Sequence, residues 1–285
     1  MTTTYPQRLE PGVIEEFQSR GFVVTPDVLS ADEVERFGAA VDAEVARRTL
    51  DDTRAVEEKT IYEQSFIQCM RLWETSPDVA DLSFHPGLAG IAAQLLQVPS
   101  VILWQDQALY KEAGGRETTP HQDLTFWPLG DAPLISAWIP FVEVTEENGA
   151  MSYVPGSHQA GRLRVVDITH STDAYDILQD PALKGAAPEL VPVSPGSVVW
   201  HHGLTVHSAG ANRTKSTRRV FTVVYLSADA RRTREWPTFP LDRAGVGVGE
   251  IVRGEGMPAV WPPIAVRPEP PVTIGDATGP QGYKR

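Results

Sequence analysis

From residue 99 onward the chain is cut into short runs of β-branched and aromatic residues, and few folds accept that pattern. The runs cover residues 101–110, 134–144, 150–154, 190–193, 197–200 and 219–226. Between them stand Gly114-Gly115, Asn148-Gly149, Pro155-Gly156 and Pro195-Gly196, residue types that supply the φ values of tight turns. Runs this short cannot bury an apolar face alone, but stacked in two antiparallel sheets they can. The spacing therefore predicts a β-sandwich or jelly roll with helices packed on one sheet.

The helices come first. Residues 1–11 read as a loose lead-in, and a short helix is expected over 13–19, ended by Gly21. The segment 21–30 (GFVVTPDVLS) reads as a short strand and a turn. Ser30 and Glu33 form a capping box ahead of Val34, Phe37, Val41 and Val45, whose spacing predicts a helix over 31–48. The polar stretch 49–60 is expected to be a mobile loop, and 72–76 to end a further helical piece. Pro86 starts another helix, with Leu88, Ile91, Ala92 and Leu95 on one face, running to about Gln97. The first hundred residues thus read as mainly helical, 160–187 as mostly loop, and the Pro-, Gly- and Arg-rich tail beyond Ala230 as a surface wrap. The expected organisation is a single domain over 1–285. It comprises a helical part (about 12–98), a jelly-roll core (about 99–230) and a C-terminal extension (231–285).

Charge and cysteine content narrow the function. The net charge of −12, from 37 acidic and 25 basic residues, argues against a nucleic-acid partner and gives no reason to expect an anionic membrane surface. Cys69 is the only cysteine among 285 residues, which rules out an intrachain disulfide and a cysteine-based zinc site and fits a reducing cytoplasm. No apolar run is long enough to span a bilayer, and residues 1–12 lack the blocks of a signal peptide.

The stretch TTPHQDLTFWP (118–128) carries the most chemistry. His121 and Asp123 are two apart, so in an extended strand they share a face. An imidazole and a carboxylate so placed are two of the three ligands of a facial triad on Fe(II). The third must come from far along the chain, and HHGLTVHSAGAN (201–212) offers His201, His202 and His207. Small residues after His207 (Ser208, Ala209, Gly210) leave room for a metal and a chelating co-substrate, which favours His207. His85 and His170 read as surface or hydrogen-bonded core histidines, and His158, in VPGSH, as structural. Arg218 opens the strand RRVFTVVYL, and a buried guanidinium there could pair bidentately with a carboxylate. Alternation puts Arg218 and Arg219 on opposite faces, so only one can look toward the metal.

Taken together, HQD at 121–123, the block AWIPFVEVTEENGAMSYVPGSH at 137–158 and H-x10-R at 207–218 resemble the phytanoyl-CoA dioxygenase family. The similarity covers roughly residues 12–230, with the motifs in the family's order. It implies a double-stranded β-helix (jelly roll, cupin-like) flanked by N-terminal helices, with non-haem Fe(II), and with 2-oxoglutarate and O2 as co-substrates. Carried onto this sequence, the resemblance makes His121, Asp123 and His207 the iron ligands and Arg218 the anchor of 2-oxoglutarate. Trp138 falls where an aromatic residue borders the co-substrate, and Gln107 and Lys111 match positions that approach it. The implied reaction is oxidation of a small-molecule metabolite, most simply hydroxylation with release of succinate and CO2. Desaturation, epoxidation or ring closure would use the same cofactors. More distant readings are a zinc hydrolase, since two histidines and an aspartate also suit Zn(II), and a non-catalytic jelly-roll binding protein. Phe126 and Trp127 beside the motif suit a hydrophobic substrate or a core equally.

Overall fold

The structure is a computed structural model that describes residues 8–168, 175–183 and 185–272. The expectation for His170, most of the lead-in (1–7) and the end of the tail (273–285) lie outside the described residues.

Helix α1 (Pro11–Arg20) starts on proline at its first turn and stops at Gly21, whose φ of 80° closes the left-handed cap. It leads into β1 (Phe22–Thr25) and then α2 (Ala31–Arg48). The capping box is formed: Ser30 Oγ accepts from Glu33 N at 3.3 Å and Glu33 Oε2 accepts from Ser30 N at 2.9 Å. Phe37, Val41 and Val45 are buried along one face of α2, as the helical spacing requires. Residues 49–60 hold only a 3₁₀ turn, Val56–Glu58. Next come α3 (Ile61–Ser65), β2 (Ile67–Met70), a 3₁₀ turn Leu72–Glu74, α4 (Pro77–Ser83) and α5 (Pro86–Leu96). The mainly helical reading of this region misses β2, whose four residues, IQCM, are too few to show a period.

The strands follow: β3 (Val101–Tyr110), β4 (Thr118–His121), β5 (Leu134–Pro140), β6 (Met151–Tyr153), β7 (Glu189–Val191), β8 (Val198–His202), β9 (His207–Ala209) and β10 (Val220–Ser227). The run expected over 134–144 ends four residues early, at Pro140, which has no N–H to extend the ladder. Beyond Ala230 the tail does more than wrap the surface. It forms α6 (Phe239–Arg243) and β11 (Ala259–Trp261), which joins the sheet against β3.

Two antiparallel sheets result, one of order β1-β8-β5-β10-β3-β11 with β2 also on β3, the other β4-β9-β6-β7. They face each other as a jelly roll, and neither closes into a barrel. The outer face of the large sheet (Ile135, Ala137, Ile139, Trp200, Phe221, Val223) packs under the N-terminal helices in one apolar core. Its inner face (Trp138, Val199, Val220) meets Met151, Tyr153 and Ala209 of the small sheet. The register slips on β3 where Val224 pairs Gln105 and Tyr225 pairs Leu103, so Trp104 is the extra residue of a bulge. Trp104 and Gln105 both line the space between the sheets, which strict alternation would forbid. The stretch 160–187 is not wholly loose, since Val166, Ile177 and Leu183 pack with Val154 and Val206 in a small core of their own.

Candidate active site

One cavity of about 200 Å³ opens between the sheets, and most of the residues singled out in the sequence line it. His121 closes β4, but Asp123 has left the strand and opens a 3₁₀ turn, Asp123–Phe126. The expected alternation therefore ends one residue early. Gln122 between them stays extended (φ −115°, ψ 125°), so both side chains still fall on one side. Gln122 faces away and ties the turn down: its amide donates to the carbonyls of Gly161 (2.9 Å) and Leu204 (2.8 Å) and accepts from Leu163 N (2.9 Å).

His207 stands directly across the strand pair from His121, and Tyr153 across from His207. The two imidazoles are aimed by the same device. Nδ1 of His121 lies 2.7 Å from the carbonyl of Thr119, and Nδ1 of His207 2.9 Å from that of Thr205, each two residues back. A carbonyl only accepts, so Nδ1 carries the proton and the Nε2 lone pair is left free. Both Nε2 atoms look at Asp123 Oδ1, at 3.4 Å from His121 and 3.6 Å from His207. The ligand atoms of His121, Asp123 and His207 all lie within 4.8 Å of one another, a donor set that fits a divalent transition metal. Their protonation suits ligation too. Burial pushes the Asp123 carboxyl up, but the facing imidazoles of His207, His121 and His201 outweigh it and hold the group well below the usual carboxylate range. Burial drives His207 down to about 3, so it is a neutral imidazole.

Of the other candidate ligands, His202 points elsewhere: its Nδ1 accepts from Leu204 N at 3.1 Å and its ring lies against His158. His158, as expected, is structural, with Nε2 bound to the carbonyl of Gln18, and His85 caps α5. His201 enters the cavity without joining the triad. Its Nε2 is 3.2 Å from the other carboxylate oxygen, Asp123 Oδ2.

The second half of the site is a buried cation. Arg218 lies opposite Lys111 in a two-way backbone pair and is only 2% exposed. Its guanidinium sits over the Trp138 ring, 5.3 Å from the centroid, and one amino group donates to the carbonyl of Gly149. That carbonyl is reachable because position 149 is glycine: φ is 89°, and a Cβ would fall 2.5 Å from Gly210 O. Arg218 Nε and the Thr222 hydroxyl are both buried without a partner, an incomplete polar lining that a carboxylate would complete. Burial lowers Arg218 to about 10, so it stays charged at neutral pH. Arg219 faces the other way and pairs with Asp42 of α2. Trp138 and Gln107 line the cavity, with Gln107 Oε1 accepting from Gln68 Nε2 at 2.6 Å. Lys111 does not: its ammonium turns to the carbonyl of Arg116, and burial followed by the Arg218 charge pushes it down to about 6.

Much of the remaining wall is aromatic, including Tyr62, Phe66, Phe126 and Trp127, with Gln105 and Arg71 among its polar residues. Residues 236–240 (WPTFP), from the tail, complete it. Only that aromatic and proline-rich cluster beyond the last strand run could have flagged this part.

The family model for phytanoyl-CoA dioxygenase matches residues 17–220. A zebrafish (Danio rerio) phytanoyl-CoA dioxygenase domain-containing protein 1 is 34% identical over 150 residues, 50% of each chain. The chain spans about half the length of the curated relatives it matches in this group. Among solved structures, the non-heme alpha ketoglutarate dependent carbocyclase SnoK from nogalamycin biosynthesis superposes with a TM-score of 0.72 at 30% identity, covering 89% of this chain and 98% of that one. The epimerase SnoN, solved in complex with Fe3+, alpha ketoglutarate and nogalamycin RO, superposes with a TM-score of 0.69 at 27% identity, covering 87% and 97%.

Proposed function

The chain belongs to the phytanoyl-CoA dioxygenase family, and on that premise we propose that it is an Fe(II)- and 2-oxoglutarate-dependent oxygenase of a small-molecule metabolite. The observation that carries the reading is one cavity holding both the His121, Asp123 and His207 cluster and the buried cation Arg218. In this reading His121, Asp123 and His207 hold the iron through Nε2, a carboxylate oxygen and Nε2. Arg218 takes the distal carboxylate of 2-oxoglutarate, with Thr222 beside it and Trp138 as the flat wall under the guanidinium. When bound, the metal and co-substrate supply the oxidising equivalent from O2 that breaks an unactivated C–H bond, with release of succinate and CO2.

The protein's own share is placement. Lys111 turns away, and Arg218, over Trp138 and beside the Thr222 hydroxyl, is the cation proposed to select a dicarboxylate. The aromatic wall of Phe126, Trp127, Trp104 and Phe239 excludes water and suits a substrate with a hydrophobic ring skeleton, while Gln105 and Arg71 offer polar points on it. Hydroxylation is the first outcome proposed. Ring closure is the second, favoured by the likeness to a carbocyclase at 30% identity over nearly its whole length. Among the described residues no helix is long and apolar enough to cross a membrane. The single cysteine, Cys69, is free and buried, which fits the cytoplasm as the place of action.

The test is succinate release and O2 uptake by the Fe(II)-loaded protein, screened against a panel of ring-bearing metabolites. The reading predicts stoichiometric succinate with at least one of them, dependent on 2-oxoglutarate. Turnover that needs zinc and no 2-oxoglutarate would replace it with the hydrolase reading.

A further inference from the structure

Asp123 has two carboxylate oxygens, and the fold treats them differently. Oδ1 faces the Nε2 atoms of His121 and His207. Oδ2 is met from the opposite sheet by two side chains, His201 Nε2 at 3.2 Å and Ser136 Oγ at 3.4 Å. These two come from one cross-strand pair, since Ser136 on β5 and His201 on β8 are direct partners and both face the interior. His201 is in turn oriented from behind. Its Nδ1 lies 3.4 Å from the hydroxyl of Tyr153, whose ring stacks on Phe22 at 4.7 Å and whose strand partner is His207. A Tyr153 hydroxyl donating to Nδ1 leaves the His201 proton on Nε2, the tautomer that donates to Asp123. His201 and Ser136 are 2% and 0% exposed, so both donors are themselves held away from bulk water.

We propose that His201 is a positioning residue: with Ser136 it holds Asp123 Oδ2 and so presents Asp123 to the iron through Oδ1 alone. A carboxylate free to turn could offer both oxygens to one metal and occupy a position that the co-substrates need. A donor fixed on Oδ2 from the facing sheet prevents that. The inference rests on the proposed iron site and adds a residue that the HxD and H-x10-R motifs do not contain. It also gives the two adjacent histidines different tasks, because alternation along β8 sends His201 inward and His202 outward.

The experiment measures metal affinity by titrating the apoprotein with Fe(II) anaerobically, and with Co(II) followed by its visible spectrum. The proteins are wild type, His201→Leu, His201→Gln and His207→Ala, with the thermal midpoint of each apoprotein recorded. Outer partners of metal ligands are worth roughly 10- to 100-fold in affinity. His201→Leu is expected to weaken both metals by about that factor and to change the Co(II) band shape as the carboxylate becomes free to chelate. His201→Gln, which keeps an N–H near Oδ2, is expected to recover most of the affinity and the wild-type band. Equal affinity and an unchanged Co(II) band in wild type and His201→Leu would overturn the inference and leave the iron reading intact. So would loss of all binding in both His201 variants, as in His207→Ala, since that makes His201 a ligand. If wild type itself binds neither metal, the reading of the iron site fails before this inference is reached. Should His201→Leu not fold, His201→Ala, which also removes the donor to Asp123 Oδ2, takes its place and decides by the same criteria.

Discussion

At the residue scale, Arg218 and Arg219 are the sharpest contrast in the molecule. They are adjacent in sequence and lie on opposite faces of the sheet, one buried over Trp138 and one paired with Asp42 where both side chains are about a third exposed. Losing a charge-assisted pair costs about 2–3 kcal/mol, or roughly 30- to 150-fold in affinity. Arg218→Ala is therefore expected to raise the 2-oxoglutarate concentration needed for half-saturation by about that factor. Arg219→Ala removes a surface pair worth about 0–1 kcal/mol and should leave the requirement unchanged. Equal requirements in the two variants would remove Arg218 from the site. Sequence alone went far here, because a two-residue spacing and strand alternation fix which side chains can share a face. It stopped at contacts between strands distant in the chain. That Ser136 and His201 are partners depends on register that no local pattern encodes.

At the scale of elements, two parts of the site rest on pieces the local pattern hides. One is the 3₁₀ turn that carries Asp123, held by the buried amide of Gln122. The other is α6, whose Phe239 ring lies 4.7 Å from the Arg71 guanidinium and 4.9 Å from that of Arg243. Arg243 pairs in two-pronged fashion with Glu74, at 2.8 and 2.7 Å, both side chains almost fully buried. The wall formed by residues 236–240 is thereby bolted to the N-terminal half, something a reading of the tail as a surface wrap could not show. Arg243→Leu removes a two-pronged partner from the buried Glu74 carboxylate and is expected to cost about 3–5 kcal/mol by chemical denaturation. A loss under about 1 kcal/mol would mean that the tail docks by other contacts. A second clamp joins α2 to the turn at Leu72–Glu74. Burial pushes Glu44 up, but hydrogen bonds from Arg47, Thr75 and Arg48 outweigh it and bring the carboxyl down to about 2. A carboxylate lowered by folding contributes stability above its unfolded pKa, near 4.5, and loses it as pH falls toward 2. Glu44→Gln should therefore be less stable than wild type at pH 7, and the gap in thermal midpoint should close between about pH 4.5 and 2. A gap that stays constant across that window would contradict the assignment.

Across the whole molecule, the two sheets divide the work. The small sheet and the turn after β4 bring His121, Asp123 and His207 together; the large sheet supplies Trp138, Thr222, Gln107 and the pair His201 and Ser136, with Arg218 at the mouth of β10. The helices pack in one apolar core under the outer face of the large sheet, away from the face that carries Trp138 and His201. The alternation of short strands and turns was enough to predict this sandwich, since each strand has one face to bury. What it could not supply was the bulge at Trp104, β2, or the return of the tail to β3, each of which depends on partners far along the chain. The central claim is that His121, Asp123 and His207 hold iron in a cavity that also binds 2-oxoglutarate. Its most direct test is to add 2-oxoglutarate anaerobically to the Fe(II)-loaded protein and watch for a weak visible charge-transfer band. The band should form in wild type and in His202→Ala, whose side chain points away from the site, and should be absent in His207→Ala. No band in the wild-type protein, or a band that survives His207→Ala and vanishes in His202→Ala, would contradict the account.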